Sequence, residues 1–138
     1  MPKSLADFPD CDSLGRTLGI KIVEAGPERV VATMPVGPRV HQPLGYLHGG
    51  ASVALAETVV SVGAYLAARD GHTAFGMEIN ANHLRPMRDG VLTATATPVY
   101  VGRTTQVWQA ELRDDAGRMV CLSRCTLAIV ALGDLGDG

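Results

Sequence analysis

The sequence has no surplus of positive charge. Its 12 Lys and Arg are set against 14 Asp and Glu, a net charge of −2. Nothing in that balance attracts nucleic acid or an anionic membrane, so an anionic ligand must be met by a local basic site. Cysteine is scarce, with three residues in 138. Cys121 and Cys125 lie four apart in an extended run, which puts their Cα atoms about 13 Å apart, too far for a disulfide. The reading is three reduced thiols in a cytoplasmic protein. No CxxC or HExxH spacing occurs, and His41 and His48 lack a third ligand, so no metal is expected. No GxGxxG or Walker pattern occurs, which removes dinucleotide binding and P-loop hydrolysis. Gly50-Ala51-Ser52-Val53-Ala54 only half-matches a nucleophile elbow, which needs a preceding strand and a longer α/β chain. The opening "MPKSLADFPDCDSLG" has no apolar core segment, so no secretory signal is expected. There is no repeat, low-complexity tract or linker. The chain reads as one domain over 1–138, with residues 1–12, carrying Pro2 and Pro9, as a loose arm.

What the chain does have is a long small-and-apolar run, from Gly49 to Ala68. It has the length of a membrane span. Glu57 at its centre, its richness in Ala, Gly and Ser, and the amphipathic sequence on both sides argue instead for a helix buried in a protein, which must be covered on every side. It ends near Arg69, with Asp70-Gly71 as the stop signal. "SLGRTLG" (13–19) reads as a short helix. "IKIVEAGPERVVATMPV" (20–36) reads as two strands around Gly26-Pro27, and 37–50 as a loop. Four extended runs follow, at 73–84, 90–101, 104–113 and 118–131, with "DDAG" as a hairpin turn between the last two. This predicts an α+β fold: an antiparallel sheet, its strands in series, curled around one long helix. One sheet on one helix leaves edges and part of the helix bare, so a homodimer is predicted.

The chemistry concentrates at two points. A charged, unpaired Glu57 in a dry site costs several kcal/mol, and its neighbours one turn away, Val53 and Ser61, bring no cation. Either it serves as a structural carboxyl hydrogen-bonded to backbone, or it is a pocket carboxylate with a task. The second point is His48-Gly49-Gly50. The first N–H groups of a helix lack internal partners and favour negative charge. Glycine there admits close approach, and an N–H aimed at a carbonyl oxygen acts as an oxyanion hole. Gly49 and Glu57 are about 12 Å apart along one helix, so one carbonyl cannot touch both within a chain. Two antiparallel helices in a two-fold dimer bring Gly49 of one chain to Glu57 of the other, twice.

"HQPLGYLHGGASVALAET" resembles the signature of hotdog-fold acyl-CoA thioesterases, in the branch of the glutamate-type 4-hydroxybenzoyl-CoA and the 1,4-dihydroxy-2-naphthoyl-CoA thioesterases. The phenylacetate-degradation thioesterases are a related branch, usually with Asp at the acid position. The likeness continues through "NANHLRPMRDG", "VGRTTQVW" and "LRDDAGRMVC", across roughly residues 15 to 131. It implies a hotdog fold and hydrolysis of a small, aromatic acyl-CoA. It implies Glu57 as nucleophile or general base, Gly49 as the backbone N–H on the thioester carbonyl, Gln42 and His48 as orienting loop residues, and Ser61 as a hydroxyl holding water. His83, Arg85, Arg103 and Thr104 fall where relatives contact coenzyme A, which is part of the substrate; no separate cofactor is expected. The implied assembly is a homodimer with shared sites, paired into a homotetramer.

Two rival functions remain at this level. A dehydratase or hydratase of acyl thioesters would need a differently spaced His and acid. A non-catalytic acyl-CoA sensor would tend to lose the acid, and Glu57 is retained.

Overall fold

The computed structural model describes residues 2–136. After a short helix, α1 (Leu14–Leu18), come strands β1 (Lys21–Ala25) and β2 (Val30–Val36), then the long helix α2 (Gly49–Ala67), then β3 (His72–His83), β4 (Gly90–Val101), β5 (Thr105–Arg113) and β6 (Met119–Ala131). The strands form one six-stranded sheet in the order β1-β2-β4-β5-β6-β3, with every pairing antiparallel.

The elements fall where the sequence puts them, but the strands are not all neighbours in series. β3 pairs with β6 at the far edge, not with β4. The link from His83 to Gly90 crosses three strand spacings, about 14 Å, and seven residues can span about 23 Å. The link is held by Met87, which is buried and whose carbonyl accepts from Leu47 N–H at 2.7 Å. It therefore runs across the chain entering α2, and β3 is carried to the opposite edge.

The concave face of the sheet packs on α2. Ala51, Leu55, Ala56, Val59, Val60, Gly63 and Ala64 are buried against it, and alternation along β4 buries Leu92, Ala94 and Ala96 while Thr93 and Thr95 face the other way. At Gly63 a Cβ would lie 2.5 Å from the Trp108 ring, so any larger residue there would collide with the indole. Trp108 Nε1–H donates to Gln106 Oε1 (2.7 Å), and Gln106 Nε2–H donates to Ala64 O (3.2 Å), so both buried polar groups are satisfied. The sheet covers one side of α2 only. Val53, Ala54, Glu57, Thr58, Ser61 and Tyr65 form a stripe that stays partly open. The helix is apolar enough for a membrane span by length and composition, but its place is the core of this sheet.

The N-terminal arm, expected to be loose, is exposed but tied down. Leu5–Asp7 form a 3-10 turn closed by a Ser4–Asp7 capping box, and Lys3 Nζ reaches carbonyls at the end of α2. The cause is tertiary: the last carbonyls of a helix need donors from outside it.

The Trp108–Gln106 pair yields a stability test. Trp108→Phe leaves the Gln106 oxygen unpaired in the core and is expected to cost about 1–3 kcal/mol. Gln106→Leu strands the indole N–H at similar cost, while Ala64 O keeps its bond from Ala68 N–H. The double variant removes both partners and should lose clearly less than the sum of the singles by urea unfolding.

Candidate active site

The chain entering α2 is folded tightly. Val40 O accepts from His48 N–H (2.8 Å), Tyr46 O from Gln42 N–H (2.7 Å) and Gln42 O from Gly45 N–H (3.0 Å); Gly45 takes the left-handed φ of 86° that this turn needs. The Gln42 side-chain oxygen accepts from Leu44 N–H, so the group left free is the amide NH2, a donor. His48 is the N-cap of α2: its Nδ1 accepts from Gly50 N–H at 2.8 Å. His48 thus caps the helix and removes Gly50 N–H from the unsatisfied set. Gly49 N–H donates to nothing among the described residues, and with the helix dipole behind it, it is a donor for an anionic or carbonyl oxygen. Both positions are close-packed by histidine rings. A Cβ at Gly50 would lie 2.9 Å from His48 Nδ1, so that ring would have to shift, and one at Gly49 would lie 3.0 Å from His83 Nε2, a tight contact. His83 thus sits directly beside the free N–H.

Glu57 projects from the open stripe onto β3. A Cβ at Gly76 would come 2.4 Å from its Oε1, and β3 carries a register shift between Gly76 and Glu78. A bare, irregular piece of strand therefore seats the carboxylate. Among the described residues Glu57 makes no ion pair and no hydrogen bond; it lacks the backbone partner that a structural carboxyl would have. The neighbouring Cys125 thiol is pushed up to about 11 by burial first, then by the charges of Glu57 and Glu78.

A cavity of about 1100 Å3 opens at Glu57. Glu57, Thr58 and Ser61 line one side, and α1, β1 and the N-terminal arm line the rest. The Thr58 hydroxyl is committed to Ala54 O at 2.7 Å. The Ser61 hydroxyl, one turn beyond the acid, has no protein partner among the described residues and is free to hold water.

The four residues assigned to coenzyme A do not form one patch. His83 lies beside Gly49 at the start of α2, and Arg85 follows it in the link, its N–H donating to Val120 O (3.4 Å). Arg103 and Thr104 lie in the β4–β5 turn, where Arg103 O accepts from Arg69 Nη1, just past the helix end. The 19-residue helix between them is about 28 Å long, so within one chain they are separate sites. Sequence reasoning also passed over Arg88, whose guanidinium lies 4.3 Å over the Tyr46 ring and donates to its hydroxyl at 2.9 Å. Arg88 stands in the quoted segment "NANHLRPMRDG", but its approach to Tyr46 depends on the 84–89 link crossing the entry loop. Among the described residues no three His, Cys, Asp or Glu converge as a metal site would require.

The profile of the thioesterase superfamily matches residues 44–121. A putative esterase of Bacillus subtilis is 52% identical over 119 residues, covering 86% of this chain and 94% of that protein. A 1,4-dihydroxy-2-naphthoyl-CoA hydrolase of Listeria monocytogenes is 45% identical over 116 residues, covering 84% and 94%. The crystal structure of a thioesterase from Haemophilus influenzae superposes with a TM-score of 0.84 at 49% identity, over 88% of this chain and 85% of that one. With the free N–H at Gly49, the unpaired carboxylate at Glu57 and a sheet wrapped on one helix, these matches place the chain in the thioesterase superfamily, as a thioester hydrolase of the hotdog fold.

Proposed function

We propose that this enzyme hydrolyses a small aromatic acyl-CoA, using Glu57 of one subunit and Gly49 N–H of its partner. The observation that carries the proposal is the Glu57 carboxylate, unpaired at the mouth of a largely apolar cavity. The similarity to a naphthoyl-CoA hydrolase supports an aromatic acyl group. Attack on the thioester carbonyl puts negative charge on its oxygen, and Gly49 N–H opposes that charge, aided by the free amide NH2 of Gln42. Glu57 either accepts a proton from water as the water oxygen attacks, or attacks itself to give an anhydride that water then opens. In both routes the carbon–sulfur bond breaks, coenzyme A leaves as thiolate and takes a proton, and one water is consumed. No further cofactor is needed. Ser61 supports a water beside Glu57, and His48 holds the helix entry in place.

The shared site rests on geometry. Gly49 and Glu57 are on one continuous helix, about 12 Å apart. The open stripe on α2 and the free edge of β3, with Phe75 and Met77 52% and 58% exposed, are apolar surface that a second copy would cover. Exposed Val99, Tyr100 and Val101 at the end of β4 supply a further face for pairing two dimers into a homotetramer. Arg85 and Arg103, a helix length apart, serve one coenzyme A only from different subunits. The free thiols Cys11, Cys121 and Cys125 support a cytoplasmic setting.

Glu57→Ala and Glu57→Gln are expected to keep the fold and to lose at least about a hundredfold in kcat, as removal of a general base or nucleophile does; release of free thiol from benzoyl-CoA measures this. A kcat near wild type in either variant removes Glu57 from the mechanism.

Arg85→Ala should raise KM for acyl-CoA several-fold and flatten its dependence on ionic strength, since a net-acidic chain meets a polyanion through local cations. Arg103→Ala should do the same. Unchanged KM in both returns these side chains to solvated surface.

Mixing subunits tests the shared site. A Glu57→Ala chain and a Gln42→Ala/His48→Ala chain, each inactive alone, should regain about a quarter of wild-type activity after random exchange of equal amounts, because half the dimers are mixed and each holds one intact site. Exchange seen by mass spectrometry with no activity returning would place the whole site in one chain.

A further inference from the structure

We propose that the N-terminal arm, from Lys3 to Phe8, is the far wall of the acyl pocket and sets the largest acyl group the enzyme accepts. This rests on the assignment of Glu57 to the reacting end of the cavity. Leu5, Phe8 and Leu14 line the same cavity as Glu57, together with Tyr65. Tyr65 lies two turns beyond Glu57 on the same open stripe, about 12 Å along the helix. An acyl group whose carbonyl is at Glu57 extends along this stripe toward Tyr65, where Leu5, Phe8 and Leu14 offer apolar lining, while the charged lining residues Asp10, Arg16 and Lys21 come from the segment leading through α1 into β1.

The arm is held at that position by contacts that converge on Tyr65 and on the end of α2. Lys3 Nζ lies within hydrogen-bond distance of four carbonyl oxygens, Tyr65 O, Ala68 O and Arg69 O at 3.0 Å each and His72 O at 2.6 Å, which share its three N–H donors. An ammonium there satisfies carbonyls that α2 cannot satisfy itself and complements the negative end of its dipole. The same ammonium lies 4.5 Å from the Tyr65 ring centroid. Asp7 Oδ2 accepts from Ser4 N–H (2.9 Å) and from the Tyr65 hydroxyl (2.7 Å), which joins the turn of the arm to the wall residue. Phe8 packs edge-on against Tyr65, with ring centroids 4.9 Å apart. Each of the three groups fixes a different part of Tyr65, and together they place the Phe8 ring where a longer acyl group would have to go.

This predicts a change in selectivity by size. Wild type, Phe8→Ala, Phe8→Trp and Lys3→Met are assayed on two pairs of substrates, benzoyl-CoA with 2-naphthoyl-CoA and butanoyl-CoA with decanoyl-CoA. In whichever series wild type hydrolyses, Phe8→Ala should raise the large-to-small ratio of kcat/KM about tenfold, the scale set by adding or removing a few carbons of pocket. Phe8→Trp should lower the ratio. Lys3→Met, which frees the arm without touching the pocket lining, should raise it. The aromatic reading fails separately, if wild type turns over the aliphatic pair and not the aromatic pair; the aliphatic ratio then still reports on the wall. Ratios within twofold of wild type for both Phe8→Ala and Lys3→Met would show that the arm does not bound the acyl pocket.

Discussion

The structure depends on how α2 is covered. A helix this apolar cannot stand in water on any side, and a single curled sheet can reach only one side of it. The sheet takes the side built from Ala, Gly, Leu and Val, where small residues let it come close; at Gly63 the Trp108 ring occupies the space a Cβ would need. The opposite side is left with Val53, Ala54, Glu57, Thr58, Ser61 and Tyr65. Every functional feature follows from that division. The acid sits on the side the sheet does not cover, and the cavity it faces is lined by segments added at the edge of the fold: α1, β1 and the arm.

The same division sets the electrostatics. Glu57 is held by shape rather than by a partner, with Gly76 and the irregular register of β3 supplying a seat without a cation or hydrogen-bond donor. A carboxylate paired with Arg or Lys would be a poorer base and nucleophile, since the cation stabilises the anion and lowers its basicity. At the start of the helix the logic is reversed. His48 takes up Gly50 N–H and leaves Gly49 N–H unsatisfied, so the dipole of α2 is presented through one donor rather than spread over several.

Much of the fold was legible in the chain. The length and limits of α2 followed from one uninterrupted apolar run, the strands from alternation and turn residues, and the two points at which we propose reaction from a lone acid and a glycine-rich helix start. The partners of β3 were not legible, because nothing in residues 72–83 states which strand they meet; the buried side chain of Met87 and the path of the 84–89 link decide it. The clamp made by Lys3 was hidden for the same reason, since its acceptors are 62 to 69 residues away. His83, Arg85, Arg103 and Thr104 were grouped by likeness to relatives, and only the fold reveals that α2 stands between the two pairs. Gly76 carries no chemistry of its own, and its importance exists only once Glu57 has been placed over it.

Stability and catalysis therefore make the same demand of this surface. The open stripe of α2 and the edge of β3 are apolar and uncovered in one chain, which favours association. On the proposed mechanism they also hold one half of the reacting geometry, while the Gly49 of the same helix is too far along it to complete that half. On the proposed pairing, the copy that dries the stripe is the copy that delivers the missing N–H. Assembly and the oxyanion hole are then one event, and a lone subunit would hold a carboxylate with no polarised carbonyl to act on.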